Sequence, residues 1–357
     1  MASQPIPRSR KKFKFESFWI ANAQCEAVVK AGWHKDRIGT PMFEVVQCIA
    51  NTRISLNKWQ RSTFGNRGKE IDGIRNRLEV LKALPFNDDN KLESVSLHGR
   101  LDALLLEEHA YWSQRAKILW LTEGEKNSKV FHRKASNRRS KNCITSLFDD
   151  NGTLQESEQG VEQVVLDYFG KMFSAYATDQ LHMEKVIALI PPKVTASMNI
   201  ALLAPFSAEE INKALFQMYP TKSPGPDGMP SLFFQQYWDT IGPEVTKAVA
   251  SFLSTGKLLE QINYTHICLI PKVARPKKMS ELRPIALCNV IYKICSKAIT
   301  SRLKKILGSI ISPFQSAFIP GRLISDNTLV ANEVSHFIHT NSSKTNGVFS
   351  LKLDMHE

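Results

Sequence analysis

Val348-Phe349-Ser350-Leu351-Lys352-Leu353-Asp354 alternates apolar and polar side chains. Phe349, Leu351 and Leu353 fall on one face and Ser350, Lys352 and Asp354 on the other, which is the period of two of a half-buried strand. The alternation predicts that Asp354 points away from the core, toward solvent or a cleft. An Asp that ends such a strand is ordinarily a solvated or capping residue, so the strand alone assigns no chemistry. Four segments lie upstream of it in fixed order: Ser223-Pro224-Gly225-Pro226-Asp227-Gly228, Leu269-Ile270-Pro271-Lys272, Leu282-Arg283-Pro284-Ile285-Ala286-Leu287, and Gln315-Ser316-Ala317-Phe318-Ile319-Pro320-Gly321-Arg322-Leu323-Ile324-Ser325-Asp326-Asn327.

Together with the terminal Leu-Lys-Leu-Asp, this series resembles the fingers and first palm motif of reverse transcriptases, and specifically those of plant LINE-type (non-LTR) retrotransposons. The resemblance extends upstream to Trp120-Leu121-Thr122-Glu123-Gly124-Glu125-Lys126-Asn127-Ser128-Lys129-Val130-Phe131-His132-Arg133, similar to the segment between endonuclease and polymerase in such elements, and runs from about Phe15 to Glu357. It implies an α+β fold, with a helical amino-terminal region followed by an incomplete fingers and palm domain. It implies that Asp354 is the first catalytic carboxylate and a ligand of Mg²⁺, and that Lys272 and Arg283 contact the triphosphate of an incoming nucleotide. Gln315 and Arg322 would lie against an RNA template paired to a DNA primer, although Arg322 is equally placed in sequence to pair with Asp326.

The residue types suit these roles. Lys presents a compact charge and Arg a rigid fork, both apt for phosphoryl oxygens whose charge grows in the transition state. A two-metal nucleotidyl transferase, however, needs several carboxylates around a metal pair about 3.5–4 Å apart. Only Asp354 is present, and Glu357, three residues on, alternates to the opposite strand face. The helix with a second Asp and the aromatic-x-Asp-Asp hairpin that continue the family's palm do not occur in these residues. The expectation is a truncated polymerase, inactive alone, with its carboxyl-terminal strand frayed and its amino-terminal helices folding independently. The alternatives are a nucleic-acid-binding protein without catalysis and a polymerase completed by another chain.

Charge supports a nucleic-acid partner. The net charge of +13 is concentrated: residues 1–145 hold 27 Lys and Arg against 15 Asp and Glu, and residues 257–305 hold 11 against 2. Such surfaces release counterions when they neutralise phosphates. The densest run carries Lys126, Lys129, Arg133, Lys134, Arg138, Arg139 and Lys141 around Phe131 and His132, and on a helix it would line phosphates along one face. A solvated surface is the plainer reading of any one such block.

Elsewhere the pattern divides the chain into a basic disordered tail (1–14), a helical basic region (15–145), a connecting strand and helix region (146–200) and the partial polymerase domain (201–357). Ile74, Leu78 and Leu81 recur at helical spacing, as do Leu97, Leu101, Leu104 and Leu105. Five of the six tryptophans lie in the first 120 residues and read as core rather than as base-stacking platforms. Ser207 and Glu210 form a capping box, and the helix it opens must stop by Pro220, leaving 223–228 as a loop. The six cysteines lack paired spacing and read as reduced, mostly buried thiols of an intracellular protein. No apolar run is long enough for a bilayer, and the basic run from Arg8 to Lys14 is of the kind that nuclear addresses use.

Overall fold

The computed structural model describes residues 12–34, 38–65, 67–85, 87–116, 128–175, 179–340 and 349–351. In chain order the helices and strands are α1 (Ala23–Trp33), α2 (Pro41–Thr63), α3 (Arg67–Ala83), α4 (Asp88–Ala116), α5 (Ser128–Lys141), β1 (Leu147–Phe148), β2 (Leu154–Gln155), α6 (Glu158–Met172), α7 (Gln180–Ala188), α8 (Ala196–Leu203), α9 (Ala208–Phe216), α10 (Ser231–Gln236), α11 (Trp238–Thr255), α12 (Glu260–Asn263), β3 (His266–Pro271), β4 (Leu282–Leu287), α13 (Val290–Ile310) and α14 (Ile324–Thr340). The fold is α+β, mostly helical, with two short antiparallel hairpins. Two compact units comprise residues 1–177 with 206–295, and 178–205 with 296–357.

In the first unit a strap of residues 12–22 joins regions far apart in sequence. On one side it is tied to the end of α4: Arg115 donates to both Glu16 carboxylate oxygens at 2.7 and 2.9 Å, and the Gln114 side chain accepts from Ser17 N–H and donates to the Phe15 carbonyl. On the other side Phe15 sits edge-on to Phe233 with centroids 5.4 Å apart, and its N–H donates to the Gly228 carbonyl at 3.0 Å. Trp19, Trp33, Phe233 and Phe234 are fully buried there, and the Tyr237 hydroxyl donates to Cys25 Sγ. The early tryptophans Trp19, Trp33 and Trp59 are therefore core residues rather than base-stacking platforms. The amino-terminal helices do not close a core of their own: α2 packs on both α1 and α11, so the apolar faces of residues 15–63 are completed by residues 229–249.

The α3–α4 pair buries Ile71, Ile74, Leu78 and Leu104 against each other, with Arg77–Glu93 and Arg100–Glu70 pairs along its exposed edge. The capping box at α9 forms: Ser207 Oγ accepts from Glu210 N–H, and Glu210 accepts in return from Ser207 N–H. A short hairpin turns at Asp149 to Gly152, with Asp149 Oδ1 accepting from Asn151 and Thr153 N–H. Its Leu147 is sealed with Leu282 and Met279 under Val161, Val165 and Phe169, which docks the β3–β4 hairpin on α6.

In the second unit the Arg302 guanidinium, from α13, donates to the carbonyls of Leu202, Ala204 and Pro205 at the end of α8. None of the side chains of α7, α8 or α14 is buried. Two expectations need correction. All six cysteines are free, but only Cys25, Cys48 and Cys295 are buried; Cys143 and Cys268 are exposed, the first just past α5 and the second on the open face of β3. The strand predicted over 348–354 is not seen in its described part, where residues 349–351 lie in no strand and Phe349 and Leu351 are exposed.

Candidate nucleic-acid interface

The register of the β3–β4 hairpin pairs Ile270 with Arg283 and Pro271 with Leu282, and the ladder continues as Lys272 N–H donates to the Glu281 carbonyl at 2.8 Å. Because side chains alternate along each strand, Leu269 and Leu282 share the face that packs on α6, while Lys272 and Arg283 share the opposite, open face. Both side chains are exposed there as diagonal neighbours. The loop between the strands is basic, with Arg275, Lys277 and Lys278, and Glu281 closes it by accepting from the N–H groups of Lys277 and Lys278 at 2.7 and 3.2 Å. Those two bonds hold the Glu281 carboxyl below its ordinary range. Arg275 itself has φ 57°, a left-handed backbone that non-glycine residues rarely adopt.

Phe131 docks α5 on α4, buried and edge-on to His109 at 5.0 Å. Arg133, Lys134, Arg138, Arg139 and Lys141 remain exposed along the helix, and no acidic residue interrupts them. Of the basic residues expected here, Lys126 lies outside the described residues, as does the side chain of Lys129.

The 223–228 loop is held from two directions. An added Cβ on Gly225 would come within 2.6 Å of Asn289, so only glycine lets the loop approach the start of α13. Asn289 is a junction of three segments: its Oδ1 accepts from Asp227 N–H, and its Nδ2 donates to the carbonyls of Gln261 and Ile262. Asp227 Oδ1 accepts from Met229 N–H at 3.0 Å, the local turn bond its residue type predicts. Burial pushes the Asp227 carboxyl up to about 6, opposed by the Met229 N–H and by the nearby charges of Lys293 and Arg53, and burial lowers the Lys293 ammonium as well. No signal in the sequence singles out Asn289 or Arg53, since a lone Asn before a helix and an Arg within one are commonplace.

Around residues 308–322 the structure reassigns a side chain. The Arg322 guanidinium donates to the carbonyls of Ser312, Gln315, Gly308 and Ile311, capping the carboxyl end of α13 rather than pairing with Asp326. Gln315 is exposed beside it. Phe318 combines φ 66° with near-complete exposure, an aromatic ring held out into solvent by a strained backbone. Asp354 lies outside the described residues.

Among the described residues no group of three or more His, Cys, Asp or Glu side chains is placed to hold a metal ion, and no helix is long and apolar enough to cross a membrane.

Comparison with known proteins bears on these surfaces. Residues 271–357 match the family model described as reverse transcriptase (RNA-dependent DNA polymerase), a span that begins at the end of β3 and includes Lys272, Arg283, Gln315, Arg322 and Asp354. The chain is also 27% identical over 288 residues, 80% of its length, to the transposon TX1 uncharacterized 149 kDa protein of Xenopus laevis. It spans 22% of that relative's length. Residues 271–357 are thus similar to reverse transcriptases, and the chain is similar to a protein of a transposon.

Proposed function

We propose that this chain is the part of a LINE-type, non-LTR retroelement reverse transcriptase that grips nucleic acid ahead of the catalytic carboxylates. The observation that carries the reading is the shared open face of the β3–β4 hairpin, where Lys272 and Arg283 stand side by side at the start of the matched span. There they would receive the phosphates of an incoming nucleotide, with the exposed cations of α5 binding template or primer backbone and Gln315 lying along the template. The RNA template, the DNA primer and a plant source follow from the sequence resemblance, and action in the nucleus from the basic run of Arg8 to Lys14.

A divalent cation at Asp354 would offset phosphoryl charge during transfer. Of the family's carboxylates, Asp354 lies within the matched span. A purely nucleic-acid-binding role is the second reading, favoured by the acid-free α5 surface.

Salt-dependent RNA binding tests the proposal. Replacing Arg133, Lys134, Arg138 and Arg139 with Gln should weaken affinity alike for all sequences and flatten the slope of log affinity against log salt by up to about 3 on single-stranded RNA. An unchanged slope would return α5 to a merely solvated surface.

A further inference from the structure

A cavity of about 200 Å³ opens between α2 and the 223–228 loop, walled by Val46, Ile49, Arg53, Asp227 and Ile262. It is smaller than the roughly 300–1,000 Å³ of sites for drug-sized ligands, so it admits one ring system and not a whole nucleoside triphosphate. The two charged side chains of its wall are incompletely matched. The half-buried Arg53 makes no hydrogen bond or ion pair among the described residues, although its charge acts on Asp227. Asp227 Oδ2 is sealed from solvent with no donor, while Oδ1 is engaged by Met229. A native protein seldom leaves a buried polar atom unmatched without a functional reason. The Asn289 amide, by contrast, is fully engaged in holding the loop and adds no demand of its own.

We propose that this cavity receives a single nucleobase, its flat faces against Val46, Ile49 and Ile262, with Arg53 donating to a ring acceptor and the Asp227 carboxylate accepting from a base N–H. Every nucleobase places an acceptor beside an N–H donor on one edge, which matches this pair of opposite demands. A small rotation of the carboxylate, whose last torsion is soft, turns Oδ2 toward the ligand. The inference rests on the nucleic-acid reading only in choosing a nucleobase over other flat polar rings. The site is separate from the hairpin face of Lys272 and Arg283, and it would hold an unpaired base of a bound strand.

The test is titration of the full chain with the four ribonucleosides, their 5′-monophosphates and ribose 5-phosphate, followed by saturation-transfer NMR. The expected result is millimolar binding of nucleosides, unimproved by the phosphate and not competed by ribose 5-phosphate. Arg53→Gln should weaken it about tenfold, and Ile49→Trp, which fills the cavity, should abolish it. If Ile49→Trp does not fold, Arg53→Gln decides alone. Absence of nucleoside binding, binding unchanged in Arg53→Gln, or equal competition by ribose 5-phosphate would each overturn the proposal. The α5 variant separates this from the proposed function, because it should lose RNA while keeping nucleoside binding.

Discussion

Gly228 and Phe13 are in contact so close that a Cβ on the glycine would stand 2.3 Å from the Phe13 carbonyl oxygen. Gly228 also has φ 77°, and its own carbonyl accepts from Phe15 N–H. Gly228→Ala therefore meets both a left-handed backbone and a backbone clash that no side-chain motion relieves. The expected loss is on the order of 2–4 kcal/mol, read as a lower urea midpoint, with raised amide exchange at Phe15. Gly256→Ala is the control: φ is 69° but the space is open, and only the backbone strain of about 1–2 kcal/mol should appear.

The Asp227 carboxyl gives the first unit a definite pH dependence. Its folded value of about 6 lies above its unfolded value of 3.8, so the folded state binds the proton more tightly. The associated stability is fully present below pH 3.8, is lost as pH rises through 6, and is flat above. Asp227→Asn, which keeps the acceptor for Met229, should remove this slope. The stability difference between wild type and variant is expected to drift by up to about 3 kcal/mol across that window. Urea titrations from pH 4 to pH 8 would measure it, and parallel curves would refute it.

Arg322 is expected to behave as a helix cap. Arg322→Ala should cost about 1–3 kcal/mol and speed amide exchange over residues 308–319, because several carbonyls lose their donor together. Arg322→Lys should rescue little, since one ammonium cannot reproduce the planar fork. Weaker RNA binding without a change in exchange would instead mark Arg322 as a template contact.

Incubated with primed template, dNTPs and Mg²⁺ or Mn²⁺, the 357-residue polypeptide is expected to give no primer extension. Template-dependent incorporation that disappears in Asp354→Asn would overturn this.

Much of the local structure was legible because it depends on neighbours in sequence. The Ser207–Glu210 box, the turn at Asp149 and the β3–β4 hairpin each follow from side chains within a few residues of the backbone groups they satisfy or from strand periodicity. What escaped depends on partners brought together by folding. Arg322 was open to two roles and took a third, because the α13 carbonyls that claim it become neighbours only once the chain doubles back. The pairing of α2 with α11 was hidden for the same reason, since each helix alone shows an apolar face without naming its mate. The placement of Lys272 and Arg283 on one face could be anticipated only after the register was known, as a slip of one residue would have parted them.

The long reach of the strap has a consequence for synthesis. Cys25 and Tyr237 meet across 212 residues, and Phe15 and Trp33 both meet Phe233 in that core. At about 5–20 residues per second, a ribosome would leave those early aromatics without their partners for roughly 10–40 s. For that interval the nascent chain presents an aromatic-rich, strongly basic segment to its surroundings. Chaperones that hold apolar segments, or the polyanionic RNA nearby, would find it before Phe233 does.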